Sequence, residues 1–470
     1  MDRALTVEAL VARSQAAQAQ FAFASQQQAD AAARAICKVV YDNAATLAAL
    51  AVTETRMGNV ADKISKCRMK PALIWQSIKD KKSVGVIARN DARRTLDIAK
   101  PMGVVASIIP ATNPIVTPMS NAAFALKTRN AVIFAPHPRA VDCTRRLVAM
   151  FRAELEKLAL PADLVLGLES VSIDNSAQLM SAADVIVATG GANLVKAAYS
   201  SGKPALGVGV GNVQCIVDRD VDVADAAGKI LLGRSFDNGL ICLSEQTVFV
   251  HQSQLSAFIR EMEKQGAYSV NGTEHAQRLR ETLFPGGGAI NRDVVGQNAE
   301  QVAARAGLEV PRGTRVIMVQ VPEVGPREVL CREKMCPVLA VMPYPTFAEG
   351  VAMMVENLNC EGKGHSIAVH SATPANVEYA AIQCAVSRVI VNQPAGTSGG
   401  GSPTNGFIAT TTLGCGSWGN NSFSGNLSFE HLMNITRVGY PLQQSWLPDP
   451  DGIWCQSPVD EHDIFHMEGI

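Results

Sequence analysis

The stretch 101-PMGVVASIIPATNPIVTPMSNAAFALKTRNAVIFA-135 decides the fold class of this chain. Its apolar run at 104–109 predicts a buried strand, residues 121–127 predict a helix and residues 131–135 predict a second strand. This order at such short spacing indicates a βαβ unit, and therefore a parallel sheet in an α/β fold. The alternation continues with a helix at 139–158, a strand at 164–168, a helix near 176–181 and a strand at 184–188.

Helices and a hairpin precede this block. Residues 1–60 predict helices: Ser-Gln-Gln-Gln at 25–28 matches a capping box, and Ile36, Val39 and Val40 recur on one helical face. Further on, two extended runs flank a polar turn, which predicts a β-hairpin. The runs are 83–87 and 95–98, and the turn is Asn-Asp-Ala-Arg at 90–93.

A second α/β block follows a glycine-dense stretch at 202–211, which we interpret as a separator. The block runs from about 224 to 420, and its predicted strands are 247–250, 315–319, 338–341, 366–369 and 388–391. A Gly/Ser loop at 395–402 interrupts it late. The last residues hold a candidate strand at 436–440 and a polar tail.

Composition excludes several function classes. The 470 residues carry 42 basic and 43 acidic side chains, so nothing attracts the chain to nucleic acid or anionic membranes. Aromatic residues make up 5%, which leaves few platforms for stacking bases. No apolar run approaches the roughly 18 residues of a membrane span, and the N-terminus lacks a signal-peptide layout, so we expect a cytoplasmic protein.

The 11 cysteines are more consistent with reduced thiols than with metal binding. None forms a CxxC pair, and Cys331 and Cys336, the nearest two, have no histidine at metal spacing. We therefore expect no metal site, and a reducing compartment.

One cysteine stands out by its context. Cys242 follows a glycine-containing turn, Phe-Asp-Asn-Gly at 236–239, and precedes a predicted strand. Such a turn can present a thiolate to a cleft, where it attacks a carbonyl carbon. A buried structural cysteine is the alternative that the spacing alone leaves open.

Two loops near predicted strand ends are also candidates. Asn113, within Ala-Thr-Asn-Pro at 111–114, can donate its amide to an oxyanion, although Asn-Pro also favours a plain turn. The segment Thr-Gly-Gly-Ala-Asn at 189–193 leads into a helix, where phosphates bind, or it is a tight turn.

Three titratable residues in loops complete the candidates. Glu333 and His365 are isolated, and by itself each fits a surface or satisfied core role better than a functional one. For Glu245, three residues after Cys242, we favour a solvated carboxylate over one that holds a positive charge.

Taken together, these residues resemble the aldehyde dehydrogenase superfamily, and its CoA-acylating branch in particular. The resemblance spans the whole chain and is similar to the succinate-semialdehyde and sulfoacetaldehyde acylating dehydrogenases, and to the aldehyde half of bifunctional aldehyde–alcohol dehydrogenases. The segments that carry it are Gly-Val-Val at 103–105, Thr-Asn-Pro at 112–114, Ala-Leu-Lys-Thr-Arg-Asn-Ala at 125–131, Ala-Pro-His-Pro-Arg at 135–139, Tyr-Ser-Ser-Gly-Lys-Pro at 199–204, Phe-Asp-Asn-Gly at 236–239, Glu-Lys-Met-Cys-Pro-Val at 333–338 and Leu-Gly-Cys-Gly-Ser-Trp-Gly at 413–419.

The resemblance implies a role for each site residue. Cys242 attacks the aldehyde, Asn113 and the Cys242 backbone form the oxyanion hole, and His365 assists proton transfer around the thioester. Glu333, also a catalytic candidate, holds the nicotinamide ribose. The other implied dinucleotide-binding residues are Thr112, Pro136, His137, Pro138, Thr189, Gly190, Gly191, Gly209 and Pro337.

One departure from the wider superfamily favours CoA over water as the second nucleophile. Hydrolytic members place a glutamate in the stretch that matches 205–212, and here no residue in that stretch is acidic. Without a general base, water attack on a thioester is slow, whereas a thiolate needs no such base. The rivals are a hydrolytic aldehyde dehydrogenase and a non-catalytic nucleotide-binding or scaffold protein on this fold. Microcompartment packaging is disfavoured.

The resemblance leaves cofactor and substrate partly open. His137 stands where many hydrolytic members have lysine, and it or Arg139 can accept a 2′-phosphate, so we lean to NADP over NAD. Thr397 and Ser398 in the Gly/Ser loop are the candidate partners of a carboxylate or sulfonate, unless that loop is a flexible surface segment. Arg234 and Arg292 are possible charge partners. We favour sulfoacetaldehyde over succinate semialdehyde, with acetaldehyde as a further alternative.

We expect three parts in the fold. Residues 1–230 would form a Rossmann-type dinucleotide-binding domain and residues 231–425 an α/β catalytic domain. The hairpin at 83–98 and the segment 426–470 would form an oligomerisation arm, because exposed edge strands tend to find partners. A homodimer or homotetramer is then expected.

Overall fold

A computed structural model of the chain describes residues 5–444, 446–447 and 452, apart from the side chain of Ala192. The helices are α1 Val7–Phe21, α2 Gln26–Asp42, α3 Ala44–Thr55, α4 Val60–Ile78, α5 Val116–Lys127, α6 Val141–Lys157, α7 Ile173–Ala182, α8 Ala192–Tyr199, α9 Val223–Ser235, α10 Leu255–Lys264, α11 Thr273–Leu283, α12 Ala299–Arg305, α13 Phe347–Cys360, α14 Pro374–Gln383 and α15 Ala395–Ser398. The strands are β1 Gly85–Asn90, β2 Thr95–Pro101, β3 Val104–Ile109, β4 Ala131–Pro136, β5 Val165–Gly167, β6 Val185–Thr189, β7 Ala205–Val208, β8 Val213–Val217, β9 Glu245–His251, β10 Ala267–Val270, β11 Val316–Gln320, β12 Val338–Tyr344, β13 Ile367–His370, β14 Val389–Val391, β15 Leu413–Cys415, β16 Ser424–Asn426 and β17 Met433–Gly439.

Residues 101–135 form the middle of a five-stranded parallel sheet in the order β5-β4-β3-β6-β7. The chain winds first to one side of β3 and then to the other, which is the order of a Rossmann-type sheet. Both β3 and β4 are buried along their whole length. The α/β class is therefore confirmed, and the loops after β3 and β6 leave the sheet where the strand order reverses.

Helices α1 to α6 cover this sheet and share one hydrophobic core with it. The predicted capping box is present: the Ser25 hydroxyl accepts a hydrogen bond from the Gln28 N–H, and the Gln28 side chain accepts one from the Ser25 N–H. Ile36, Val39 and Val40 are buried as expected. Helix α5 begins at Val116, five residues before its predicted start, because the apolar turn before it is also helical.

The second sheet is parallel and has seven strands, in the order β10-β11-β12-β9-β8-β13-β14. All five strands predicted for the second block are in it. The sequence missed five short strands. β7 contains a glycine, β8 directly follows the glycine-dense stretch and β10 is only half-buried, while β15 and β16 have three residues each and pair with each other. The glycine-dense stretch is therefore not a plain separator, because β7 lies within it; the two sheets divide between β7 and β8.

The predicted hairpin and the C-terminal strand join in a three-stranded antiparallel sheet, β1-β2-β17. Strands β1 and β17 are its two edges, and most of their residues are exposed. The predicted polar tail lies almost wholly outside the described residues. No single helix in the described chain is long and apolar enough to cross a membrane; α2 and α3 reach that length only when taken together across a 72° bend.

A buried ion pair ties α2 to α5, the helix that follows the Asn113 loop. The Lys127 ammonium is buried and pairs with Asp30, whose side chain is 23% exposed. We predict that Asp30→Ala lowers the free energy of unfolding by about 3 kcal/mol, because it leaves a buried cation without its partner. Denaturant unfolding would measure this loss.

The double variant Asp30→Ala/Lys127→Met serves as the internal control, and it should recover much of the stability. Asp42→Ala is the matched surface control, since its partner Lys38 is 54% exposed in the same helix, and its effect should be much smaller. Equal losses from the two aspartate variants would contradict the interpretation.

Candidate active site

Cys242 lies just after a tight turn between α9 and β9. The turn is a 3₁₀ segment, Phe236–Gly239, in which Asp237 and Asn238 both adopt positive φ (50° and 56°). Such angles cost energy for residues other than glycine, so surrounding contacts must hold the turn. Cys242 is half-buried and lines a cavity of about 320 Å³, rather than being sealed in apolar packing.

The contacts that hold the turn come from the start of α4. Asp237 is fully buried, and its Oδ2 accepts hydrogen bonds from Lys63 Nζ at 3.0 Å and Lys66 Nζ at 2.5 Å. Its Oδ1 accepts the Asn59 backbone N–H at 3.1 Å. Gly58 packs so closely that a Cβ there would lie 2.0 Å from Asp237 Oδ1. A helix remote in sequence therefore fixes the turn that carries Cys242.

The same lysine orients Asn113, which follows the end of β3. Lys66 Nζ donates to Asn113 Oδ1 at 2.7 Å. Because an ammonium can only donate, this contact assigns the amide oxygen to the lysine side and leaves the Nδ2 hydrogens as the free donors. Asn113 lines the same cavity as Cys242. The structure thus brings together the candidate nucleophile and the candidate oxyanion donor.

On its other side Cys242 meets the segment after β7. A Cβ on Gly211 would lie 2.2 Å from the Cys242 carbonyl oxygen, so only glycine allows this approach. The stretch 205–212, which contains no carboxylate, therefore reaches Cys242 at Gly211.

Glu333 reaches this region from the loop before β12. Its carboxylate accepts the Gly211 backbone N–H, and its own N–H donates to Glu361 Oε2 at 2.7 Å. Burial, together with the charge of Glu361, raises the pKa of Glu333 to about 8. Burial and the charge of Glu333 raise the pKa of the Cys242 thiol to about 12. The resting site therefore holds a protonated thiol.

His365 is fully buried, and neither ring nitrogen has a hydrogen-bond partner among the described residues. Burial and the charge of Arg388 hold its pKa well below the usual range, so the imidazole is neutral. Arg388 Nη2 donates to the His365 carbonyl at 2.9 Å. His365 does not line the Cys242 cavity, so its proposed proton-transfer role requires access from another side.

The candidate dinucleotide-binding residues converge on the carboxyl edge of the five-stranded sheet, where ligands gather in such folds. Thr112 follows β3, Pro136, His137 and Pro138 end or follow β4, Thr189, Gly190 and Gly191 end or follow β6, and Gly209 follows β7. Pro337 instead directly precedes β12 of the other sheet.

The chemistry of this edge fits a dinucleotide. The Thr189 hydroxyl is buried with no partner in the described structure, and a ligand would satisfy it. A Cβ on Gly191 or Gly209 would meet nothing within 4 Å, so both backbones are open to close approach. Within the same described ranges, no group of three His, Cys, Asp or Glu side chains is placed to hold a metal ion.

The Gly/Ser loop is not a flexible surface segment. Residues 395–398 form the short helix α15, and Thr397 and Ser398 line the cavity with Cys242. Glu245 is fully buried beneath it and accepts the Ala395 N–H at 2.7 Å. The expectation that Glu245 is solvated was therefore wrong, because it anchors this loop from below.

The two arginines suggested as charge partners do not line the cavity, and two lysines do. Arg234 is buried and donates to the Cys336 carbonyl, while Arg292 is exposed and lies near His137. Lys66 and Lys70 of α4 face the cavity instead. The sequence signal was the recurrence of lysine at 63, 66 and 70, one face of a helix, but nothing local links that face to Cys242.

Comparison with known proteins agrees with this geometry. Residues 2–278 match the aldehyde dehydrogenase family. The chain belongs to the aldehyde dehydrogenase family. A succinate-semialdehyde dehydrogenase (acetylating) from Clostridium kluyveri is 45% identical over 97% of this chain and 100% of its own. A sulfoacetaldehyde dehydrogenase (acylating) from Bilophila wadsworthia is 39% identical over 91% of this chain and 93% of its own.

A solved structure extends the match to the fold of this aldehyde dehydrogenase. The crystal structure of an acetylating aldehyde dehydrogenase from Geobacillus thermoglucosidasius superposes with a TM-score of 0.90 at 35% identity, covering 94% of this chain and 97% of that one. The resemblance to the acylating branch is thereby confirmed, as is the expectation that the chain is an enzyme of this type.

The raised pKa of Cys242 generates a prediction for the ligand-free enzyme. Because the thiolate is the reactive form, alkylation of Cys242 by iodoacetamide should rise about tenfold per pH unit from pH 7 to 9.5. Peptide mass spectrometry would measure the rate at Cys242 separately from that at Cys360, the exposed cysteine that serves as control. A rate at Cys242 that already levels off below pH 8 would contradict a protonated resting thiol.

Proposed function

We propose that this enzyme oxidises a small aldehyde with an anionic tail, in the presence of CoA and NADP or NAD, to the corresponding acyl-CoA. The observation that carries the proposal is the setting of Cys242. It opens to a cavity beside Asn113, and the backbone that packs against its other side, 209–212, offers no carboxylate to activate water.

In the first half-reaction, the Cys242 thiol releases its proton to solvent, and the thiolate attacks the aldehyde carbon to give the anion of a thiohemiacetal. The Asn113 amide and the Cys242 N–H donate to the oxygen that becomes negative, and such donors lower the barrier most when they are already oriented. Lys66 supplies that orientation. When bound, the nicotinamide accepts the hydride released as the thioester forms on Cys242.

In the second half-reaction, the CoA thiolate attacks the thioester carbonyl and Cys242 leaves as a thiolate. The acyl group ends on the CoA sulfur, and no water is consumed. The neutral His365 imidazole can accept or return the thiol proton once CoA opens a path to it. Glu333, next to Gly211, holds the ribose of the nicotinamide.

For the dinucleotide we favour NADP. His137 follows β4, and its Nδ1 accepts the Arg139 backbone N–H at 3.1 Å. Burial lowers the pKa of His137, and the positive charges of Arg139 and Arg292 lower it further. Two guanidinium groups at this corner of the sheet suit a 2′-phosphate, whereas an acidic side chain there would favour the free hydroxyl of NAD.

For the aldehyde we favour succinate semialdehyde over sulfoacetaldehyde, whereas the sequence pattern favoured the reverse order. The relative from Clostridium kluyveri is named for succinate semialdehyde, and it is more similar to this chain than the sulfoacetaldehyde dehydrogenase from Bilophila wadsworthia. Thr397 and Ser398 line the cavity and can donate to either anionic tail.

The enzyme is proposed to work in the cytoplasm as a homodimer or homotetramer. Residues 1–230 are proposed to bind the dinucleotide and residues 231–425 to carry out catalysis. The arm is proposed to form the contact between subunits. The exposed edges β1 and β17 support the last of these. Val86 and Ile435, on those two strands, are 43% and 44% exposed, which a partner subunit would cover.

A panel of aldehydes, each assayed with NADP and NAD and with and without CoA, tests the proposal. We expect NAD(P)H to form at least 100-fold faster with CoA than without it, and faster with succinate semialdehyde than with butanal. The product should be an acyl-CoA, identified by mass spectrometry. Equal rates without CoA, with free acid as product, would show a hydrolytic enzyme in which Glu333 or another group acts as base.

The second test concerns the nucleophile. We predict that Cys242→Ala abolishes turnover while the unfolding midpoint changes little, because the change removes one sulfur at a cavity wall. Cys415→Ala is the matched control, a buried cysteine in the same region, and it should retain measurable turnover. Full activity of a folded Cys242→Ala enzyme would overturn the mechanism.

A further inference from the structure

The cavity in front of Cys242 has a one-sided charge. Helix α4 forms one wall through Ser65, Lys66, Met69, Lys70 and Leu73. The opposite wall is the Gly/Ser loop with its hydroxyl side chains. Among the described residues that line the cavity, two are lysines and none is an aspartate or glutamate. An anion can therefore enter this cavity without meeting a like charge.

The two lysines are committed to different degrees. Lys66 is held by Asn113 and by Asp237, so its charge is already balanced by a buried carboxylate. Lys70 lies one helical turn further on, and in the described part of the chain its Nζ donates only to backbone oxygens, Gly400 O at 2.8 Å and Gly401 O at 3.3 Å. An ammonium has three hydrogens, so one remains for a ligand.

The lack of a side chain at Gly400 allows the Lys70 ammonium to lie against the Gly/Ser loop. A Cβ on Gly400 would lie 3.0 Å from Lys70 Nζ and 2.9 Å from the Thr410 carbonyl, so a side chain would displace the ammonium. Burial and the charge of Lys66 lower the pKa of Lys70 to about 8. A cation that is partly buried without a carboxylate partner gains stability when an anion binds.

We propose that Lys70 is the residue that binds the carboxylate or sulfonate of the aldehyde, and so determines the preference for anionic substrates. This inference rests on the proposed function, since it names the group that selects the substrate in the same cavity. The two carbonyl contacts hold the ammonium in position, and its third hydrogen is left to donate to the anionic tail of the aldehyde. Thr397 and Ser398 then act as neutral donors beside it.

The test compares kcat/KM for succinate semialdehyde and for butanal, which has the same carbon chain without the carboxylate. Lys70→Gln retains N–H donors for the Gly400 and Gly401 carbonyls but removes the charge. We expect it to lower the ratio of the two kcat/KM values at least tenfold, mainly through the KM of succinate semialdehyde. Lys70→Arg, which keeps the charge, should retain more of the preference than Lys70→Gln.

Arg68→Gln is the matched control, since Arg68 is an exposed cation of the same helix that does not line the cavity, and it should leave the ratio unchanged. A lysine that only braces the Gly/Ser loop would lower turnover of both aldehydes equally on substitution. Equal losses, or a ratio that stays within twofold, would overturn the proposal.

A second variant covers the case in which Lys70→Gln fails to fold. Ser65→Asp adds a carboxylate to the same wall, at an exposed position, without changing Lys70 or the glycines whose carbonyls it contacts. It should lower the same ratio, and an unchanged ratio would again overturn the assignment. A wild-type enzyme that prefers butanal would refute the anionic substrate itself, whereas an intact preference in every Lys70 variant would refute only the role of Lys70.

Discussion

The buried carboxylate of Asp237 is the contact on which the site depends. It receives two lysines from α4, and one of those lysines also holds the amide oxygen of Asn113. Breaking a buried ionic contact of this kind is costly, because it leaves uncompensated charge in a medium of low polarity. One cluster therefore fixes both the strained turn before Cys242 and the direction of the oxyanion donor, although the three segments lie far apart in sequence.

The two parallel sheets supply different parts of the chemistry. The five-stranded sheet carries the candidate dinucleotide edge, with open glycine backbones and a Thr189 hydroxyl that has no partner among the described residues. The seven-stranded sheet follows the Cys242 turn and positions Glu333 ahead of β12. The segment from β7 to β8 passes from one sheet to the other directly beside Cys242. A side chain larger than glycine at Gly211 has no space there, because a Cβ would lie 2.2 Å from the Cys242 carbonyl oxygen.

Burial sets the protonation of the resting enzyme. The thiol of Cys242 and the carboxyl of Glu333 both have raised pKa values, because each loses water without gaining a full counter-charge. Both groups are therefore poised to change when ligands replace the missing water and charge. In the cavity beside Cys242, the charge of Lys66 is balanced by Asp237, whereas the Lys70 ammonium has no carboxylate partner among the described residues. Bound ligands therefore complete the charge balance of the site.

The sequence by itself determined the α/β class, the parallel strands β3, β4 and β6, the hairpin and the cysteine in its turn, because buried strands and capped helices leave local periodic patterns. It also pointed to the acylating branch through short motifs. Only the tertiary structure decided which cations line the cavity beside Cys242: Lys66 and Lys70 do so, whereas Arg234 is buried elsewhere and Arg292 lies by His137. It also showed that Glu245, which was expected to be solvated, is buried and accepts a hydrogen bond from the Ala395 N–H. Those facts depend on contacts between segments far apart in the chain, and no local pattern encodes such contacts.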